Sequence, residues 1–280
     1  MSFYPHNVDH VLPVQPSGGG KAITGARVAD LLKYERAPLA TTATGLHANV
    51  TLDVTYAKTA AATVVLETAV ATNVLLTVTV GTVIAVDDIL KDAAKAEWVR
   101  VTSIAAAPVY TVTRGFRGTA IGTHAAGATW NSVGKTHALT LLATELKACP
   151  QLLEVKGAMA GATNLTGDVT LYGTDIADTA ISDTIALNDA GAVAGVKAFK
   201  TVTSVDFPCA VTAADTVSLG VTKSIGLPWK VLRTAHALVR ELNASADTGT
   251  VTYNADLAKC IYTPSGTPNG TNLLTLYVAV

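Results

Sequence analysis

The sequence predicts an all-β, mainly antiparallel protein: two β-sandwich- or barrel-like domains preceded by an extended N-terminal arm and one short helix. Three observations predict it. Hydrophobic residues make up 49 % of the 280-residue chain but aromatics only 5 %, and the excess lies in Ala, Val and Thr, which suits short strands packed through small side chains. Apolar and polar residues alternate with period two in many short runs, as half-buried strands require. Turn signals rich in Gly, Asn and Asp separate those runs at intervals of about ten residues.

The length is ample for two domains. Residues 1–44 are expected to form the arm and helix, 45–133 a small β-domain and 134–280 a β-sandwich domain. Within the arm, residues 1–21 hold Pro5, Pro13 and Pro16 and end in Ser17-Gly18-Gly19-Gly20-Lys21. Phe3, Tyr4 and Leu12 are too apolar for a solvated tail, yet the prolines forbid a regular helix or central strand. The segment is therefore expected to lie extended, and the Ser17–Gly20 hinge favours a neighbouring subunit over its own domain as the surface it meets. His6, Asp9 and His10 make no convincing metal site without groups to orient them, and the glycine run lacks the GxxxxGK[ST] spacing of a phosphate loop. Ala22 to Arg36 reads as the helix, with Val28, Leu31 and Leu32 on one face, Thr24 as N-cap and Pro38 as the stop.

Val50, Leu52, Val54 and Tyr56 then alternate with Thr51, Asp53 and Thr55 as a half-exposed strand, Ala57–Ala62 is a spacer or edge, and Val74–Val80 alternates again. From Glu97 to Trp130 two alternating runs meet across a break at Ala105–Pro108, which predicts a hairpin. Gly115, Gly118, Gly122 and Gly127 punctuate its return. Thr136–Leu146 satisfies neither period, with Thr favouring strand. Further strands are expected at Leu152–Lys156, Gly167–Gly173, Thr179–Leu187, Val193–Asp206, Thr216–Leu219, Gly249–Tyr253, Cys260–Thr263 and Leu273–Val280. The apolar C-terminus should be tucked into a sheet, because a free tail of that composition aggregates.

Charge and cysteine usage exclude several functions. Lys plus Arg number 20 against 21 Asp plus Glu, a net charge of −1, so the field that draws nucleic acid or an anionic membrane is missing. No apolar run reaches the roughly 18–20 residues of a membrane span, and the N-terminus has no signal-peptide pattern. Cys149, Cys209 and Cys260 show no CxxC or Cys/His spacing, so buried reduced thiols are expected in place of a zinc site or disulfide framework. Four N-x-S/T triplets, at Asn49, Asn164, Asn243 and Asn269, are then chance matches.

The run Val112-Thr113-Arg114-Gly115, followed by Gly118-Thr119, His124 and Gly127, resembles a segment of virion structural proteins of tailed bacteriophages, where it closes a small β-domain. Val86-Asp87-Asp88-Ile89-Leu90 and Glu97-Trp98-Val99-Arg100-Val101 hold the places of neighbouring motifs, with Asp87 where the resembled proteins carry glycine; a turn there must use a residue less tolerant of positive φ. A second stretch, Val169–Pro228, including Ala198–Val205 and Ser224–Pro228, is similar to phage virion β-proteins as well.

The resemblance implies a non-enzymatic structural protein, first a capsid-decorating or cement protein stabilising the shell through contacts between subunits, alternatively a tail, neck or fibre component. It would be assembled in the host cytoplasm and reside in the virion. Its partners would be copies of itself, with a trimer among the arrangements, and other virion proteins such as the major capsid protein, with no nucleic acid, membrane, cofactor or metal. A carbohydrate-binding or adhesin module is the reading from another class; it needs an aromatic platform that four Phe, eight Tyr and three Trp, thinly spread, do not visibly supply.

No enzyme motif joins a nucleophile, base and orienting group. Asp87-Asp88, Asp92 and Glu97 form the densest acidic cluster, expected as a solvated turn because it lacks the DxDxDG order of a calcium loop. His124 is expected to be a hydrogen-bonded turn histidine. Arg114 and Arg117 suit a carboxylate on this chain or a neighbour. Trp98 and Trp130 are expected in the core. The candidate subunit-interface residues are thus Phe3, Tyr4, Leu12, Arg114, Arg117 and Trp229.

Overall fold

The computed structural model describes residues 31–53, 57–59, 74–77, 84–106, 109–122, 124, 128–138, 146, 149–161, 165–188, 191–210, 214–230 and 237–279. They are nearly all β, with two 3-10 turns at Phe116–Gly118 and Leu257–Lys259 and no α-helix among them. In chain order the strands begin with β1 (Leu31–Arg36), β2 (Thr42–Thr51), β3 (Ala57–Thr59), β4 (Val74–Thr77), β5 (Asp88–Asp92), β6 (Trp98–Ala106), β7 (Val109–Thr113) and β8 (Thr129–His137). They continue with β9 (Gln151–Ala158), β10 (Asp168–Thr174), β11 (Ala180–Ala186), β12 (Val193–Phe199), β13 (Thr201–Pro208), β14 (Thr216–Gly226), β15 (Ala237–Leu242), β16 (Ser245–Ala246), β17 (Thr250–Thr252), β18 (Ile261–Thr263) and β19 (Leu274–Ala279).

A nine-stranded sheet runs β11-β10-β13-β8-β5-β6-β7-β4, with β3 also on β8. A six-stranded sheet runs β12-β9-β14-β18-β17, with β2 beside β14, and a four-stranded sheet runs β1-β19-β15-β16. The expected hairpin is β6–β7, where Val101 faces Val112 and Arg100 faces Thr113. Val99 and Val101 point inward while Thr102 is exposed, so the period-two pattern does what it promises.

Three cores hold the layers together. The largest lies between the β10/β13 part of the long sheet and the β9/β14 part of the six-stranded sheet, where Leu171, Val205 and Phe207 meet Leu153, Val155 and Leu219. Each such side chain contributes roughly 1.5–3 kcal/mol on full burial. Asp183 of β11 ties the layers at one corner by accepting hydrogen bonds from the main-chain nitrogens of Val196 (2.6 Å) and Lys197 (3.0 Å) of β12. Backbones also come close where β2 crosses β14: a Cβ at Gly220 would overlap the main chain of Thr42 and Ala43, which only glycine avoids. A second core, Ile84, Leu90, Val99, Val101, Tyr110, Val112 and Trp130, fills the hairpin module.

In the third core, Tyr34, Leu274 and Leu276 of the four-stranded sheet pack on Ile225, Val251 and Tyr262 of the six-stranded one and on Cys260, which caps the second 3-10 turn. The strand β19 lies between β1 and β15, so Leu274–Ala279 is inside a sheet as expected, and Val280 lies outside the described residues.

One expectation is overturned. Leu31–Arg36, the last part of the expected helix, is the strand β1, paired antiparallel with β19 from Leu31↔Ala279 to Arg36↔Leu274. Three apolar residues at helical spacing were a weak signal, and six paired positions with a strand at the far end of the chain override it. Residues 22–30 of that helix, and the arm before it, lie outside the described residues. The domain boundary expected at 133/134 falls inside β8, which pairs with β5 and β3 and also with β13. Thr136 and His137 end this strand.

All three cysteines are free and buried. Burial pushes the Cys149 thiol up to about 11 despite its 3.5 Å contact with the Tyr34 hydroxyl, and burial raises Cys209 as well. Because the thiolate is the reactive form, native protein at neutral pH is expected to resist thiol reagents that modify all three cysteines once denatured. Full labelling without denaturant, or disulfide-linked multimers on non-reducing gels, would contradict this.

Candidate functional site

Strand β5 ends at Asp92, a tight connection follows, and β6 begins after Glu97; the Asp92 nitrogen donates to the Glu97 carbonyl across that connection (3.2 Å). The pair of acidic side chains is thereby carried to the mouth of the hairpin module. On the return, Arg114 and Gly115 leave β7, and Gly115 adopts φ 60, a left-handed conformation glycine takes at little cost. This reversal turns the chain through the 3-10 turn and brings Gly122 and His124 back over Glu97.

The result is a buried ionic cluster, not a solvated turn. Arg114 donates in a fork to Glu97, Nε to Oε1 at 2.8 Å and Nη2 to Oε2 at 2.6 Å, with both side chains 1 % exposed. Arg114 also donates to the Gly122 carbonyl. Glu97 accepts from the Gly122 nitrogen (2.8 Å), the Gly115 nitrogen (3.3 Å) and His124 Nε2 (2.8 Å). His124 Nδ1 meets Asp92 Oδ2, while Asp92 Oδ1 accepts from the nitrogens of Ala94 (2.7 Å) and Lys95 (3.2 Å). The imidazole lies 4.6 Å from the ring of Trp130, itself wholly buried.

The chemistry of this cluster is inward-looking. Burial alone would raise the Glu97 carboxyl, but hydrogen bonds from Arg114, Gly122 and His124 outweigh it and hold Glu97 below its ordinary value. A carboxylate oxygen stands at each imidazole nitrogen, Asp92 at Nδ1 and Glu97 at Nε2. No group of three or more His, Cys, Asp or Glu side chains suited to a metal occurs among the described residues, and both nitrogens of His124 are already engaged.

A second network joins this module to the larger sandwich. Asp206 of β13 is wholly buried and accepts from Thr136 Oγ1 (2.6 Å), the Tyr172 hydroxyl (2.9 Å) and Arg117 Nε (3.3 Å). Arg117 sits at φ 55 in the 3-10 turn with its guanidinium 4.9 Å from the centre of the Trp98 ring. On the other flank Asp87 adopts φ 74, the positive φ that its glycine-like place demands, and Arg100 holds it by a 2.6 Å ion pair. Asp88 is buried and caps the Ala85 nitrogen at 2.8 Å.

Of the residues singled out in the sequence, the fold thus brings Asp92, Glu97, Arg114 and His124 together and turns Arg114 into its own chain. Arg117 is half-buried and engaged with Asp206. Trp130 is in the core as expected, whereas Trp98 is half-buried under Arg117. Trp229 packs at the edge of the third core, its ring 6.1 Å from that of Tyr34. Phe3, Tyr4 and Leu12, and the His6, Asp9 and His10 set, lie outside the described residues. The Asp206 network was missed in the sequence. Compared with known protein families, curated proteins and solved structures, the chain gives no match.

Proposed function

We propose that the chain is a structural, non-enzymatic component of a tailed-phage virion, a capsid-decorating or cement protein in the first place and a tail, neck or fibre component in the second. The observation that carries this reading is how the motif residues are used. Arg114, Gly115, Thr119 and His124, which the resembled segment shares, are each spent on closing the module: Arg114 and His124 on Glu97, Gly115 on the reversal, and Thr119 by accepting from the Trp98 nitrogen at 2.9 Å. Residues that recur for such a reason specify a rigid unit and leave no group poised for a substrate. A rigid β-unit that adds contact area between subunits is what a cement protein requires.

The net charge of −1 favours protein partners over nucleic acid. The glycan-binding alternative fares less well: Tyr253 is the one aromatic among the exposed large apolar side chains of the described residues, too few for a sugar platform. In this reading the partners are copies of the chain and a shell protein such as the major capsid protein, and the particle is assembled in the host cytoplasm.

Immunogold electron microscopy of particles made by the genome that encodes the chain tests the proposal. Regular labelling of the shell supports decoration, labelling of tail or neck supports the second place, and absence of the chain from purified particles refutes both. The apolar arm is the sequence's best candidate for the contact between subunits. Deleting residues 2–16 is expected to abolish self-association or particle attachment while leaving the far-UV spectrum unchanged. Unchanged assembly of the truncated chain, measured by light scattering and particle co-sedimentation, would rule the arm out.

A further inference from the structure

Residues 264–273 connect β18 to β19 and are pinned at both ends. At one end the buried Asp247 accepts from the Ser265 hydroxyl and from the Ser265 and Gly266 nitrogens, at 3.1 and 3.4 Å. At the other the Asn243 nitrogen donates to the Leu273 carbonyl at 2.8 Å. Between these anchors stands the dipeptide Asn269-Gly270, exposed at Asn269 and with Gly270 at φ 85. Asn269 Oδ1 accepts three hydrogen bonds, from the Thr271 nitrogen (3.0 Å), Thr271 Oγ1 (2.9 Å) and the Asn272 nitrogen (2.8 Å).

Three donors on one side-chain carbonyl polarise it. They also sit where negative charge gathers on the oxygen when a nucleophile adds to Cγ, the arrangement by which acyl-transfer sites stabilise their intermediates. The nucleophile next along the chain is the main-chain nitrogen of Gly270, whose attack closes a five-membered ring on Cγ, and glycine brings no Cβ to crowd that closure. Asn254 is the internal contrast: its Oδ1 accepts one hydrogen bond, from the Asp256 nitrogen at 2.9 Å, and Ala255 follows it with a Cβ.

From this geometry we infer that Asn269–Gly270 is a self-modifying site, at which the turn itself promotes conversion of Asn269 to a mixture of aspartate and isoaspartate. The Gly270 nitrogen forms a bond to Cγ and gives up its proton; the Cγ–Nδ2 bond breaks, and the side-chain nitrogen leaves as ammonia with that proton. One water then opens the cyclic imide. Attack at Cγ yields aspartate, and attack at the Asn269 main-chain carbonyl yields isoaspartate, with no oxidant or reductant involved. Either product adds a negative charge to a chain whose net charge is −1. Isoaspartate also lengthens the main chain within a connection fixed at both ends, immediately before the strand that β1 and β15 share.

The test is a time course of the full chain in mildly alkaline buffer, folded and in urea, read by peptide mapping for the amide-to-acid mass change and by enzymatic methylation of isoaspartate. Asn269 is expected to convert faster in the folded chain than in the unfolded one, with Asn254 unchanged. Thr271→Val, at an exposed position, removes one donor and should slow the folded rate about fivefold, the equivalent of one neutral hydrogen bond; Thr271→Ser should restore it. A folded rate no greater than the unfolded one, or a Thr271→Val rate equal to that of the natural chain, overturns the inference.

Discussion

Replacing Arg114 with methionine is expected to cost about 3–5 kcal/mol of folding stability, as removal of one partner from a buried ion pair does. The cost does not measure how much the pair stabilises the fold. It arises because Glu97, 1 % exposed, keeps its charge away from water while losing the two hydrogen bonds that the guanidinium supplied. Against the 5–15 kcal/mol that hold a domain folded, this is a large fraction. Equilibrium denaturation checks it, and a loss under about 1 kcal/mol would show that water or a neighbouring group reaches Glu97.

The same substitution has a signature in pH. In the natural chain Glu97 is held below its ordinary value of about 4.5, so the native state binds fewer protons than the unfolded one near that pH. Its contribution is therefore complete above about pH 4.5 and lost as pH falls through the lowered native value. Without Arg114, burial governs and the native value moves upward. The sign reverses: the variant gains relative stability as acid neutralises the orphaned carboxylate. The stability difference between the two chains should thus shrink as pH falls, first above about pH 4.5 as the variant's buried carboxylate takes up its proton and then below about pH 4.5 as the natural chain loses its contribution, and a constant difference across that range would contradict the account.

The fold class was legible because period-two alternation reports which face of a strand is buried, and the signal is local. Asp168–Thr174, Ala180–Ala186 and Leu274–Ala279 fall within a residue or two of where alternation and turn chemistry put them. Val193–Asp206 was read as one strand and is two, broken at Lys200, because the apolar run continues through the break. Leu31–Arg36 was misread because a strand identity conferred by β19, more than 200 positions away, leaves no local trace. The site was legible in its members but not in its assembly. Asp92, Glu97, Arg114 and His124 each drew attention, yet Arg114 and His124 lie 17 and 32 positions from the carboxylates they meet. Only the reversal at Gly115 brings them together, and a cluster of acids seen without those partners reads as solvated surface.

Replacing Asp206 with alanine is expected to cost about 3 kcal/mol and to loosen the hairpin module from the sandwich. The carboxylate is wholly buried, and its three donors come from three elements: Thr136 on β8, Tyr172 on β10 and Arg117 in the 3-10 turn. Its removal leaves the buried Thr136 hydroxyl and the partly buried Tyr172 hydroxyl without an acceptor, at about 1–3 kcal/mol each. Arg117 costs less, because its side chain is 20 % exposed and can turn to water, which also relieves its left-handed backbone. Asp206→Asn keeps one acceptor oxygen and should lose about half as much. A second readout separates this from general damage. Burial and the nearby Asp206 charge push the Tyr172 phenol up to about 12, so in the alanine variant one tyrosine should titrate closer to its ordinary value. Because β8 belongs to both modules, the natural chain is expected to unfold with coincident near- and far-UV transitions, and the alanine variant to separate them. A variant that unfolds in a single transition with a loss below about 1 kcal/mol would show that the shared strand alone couples the two modules.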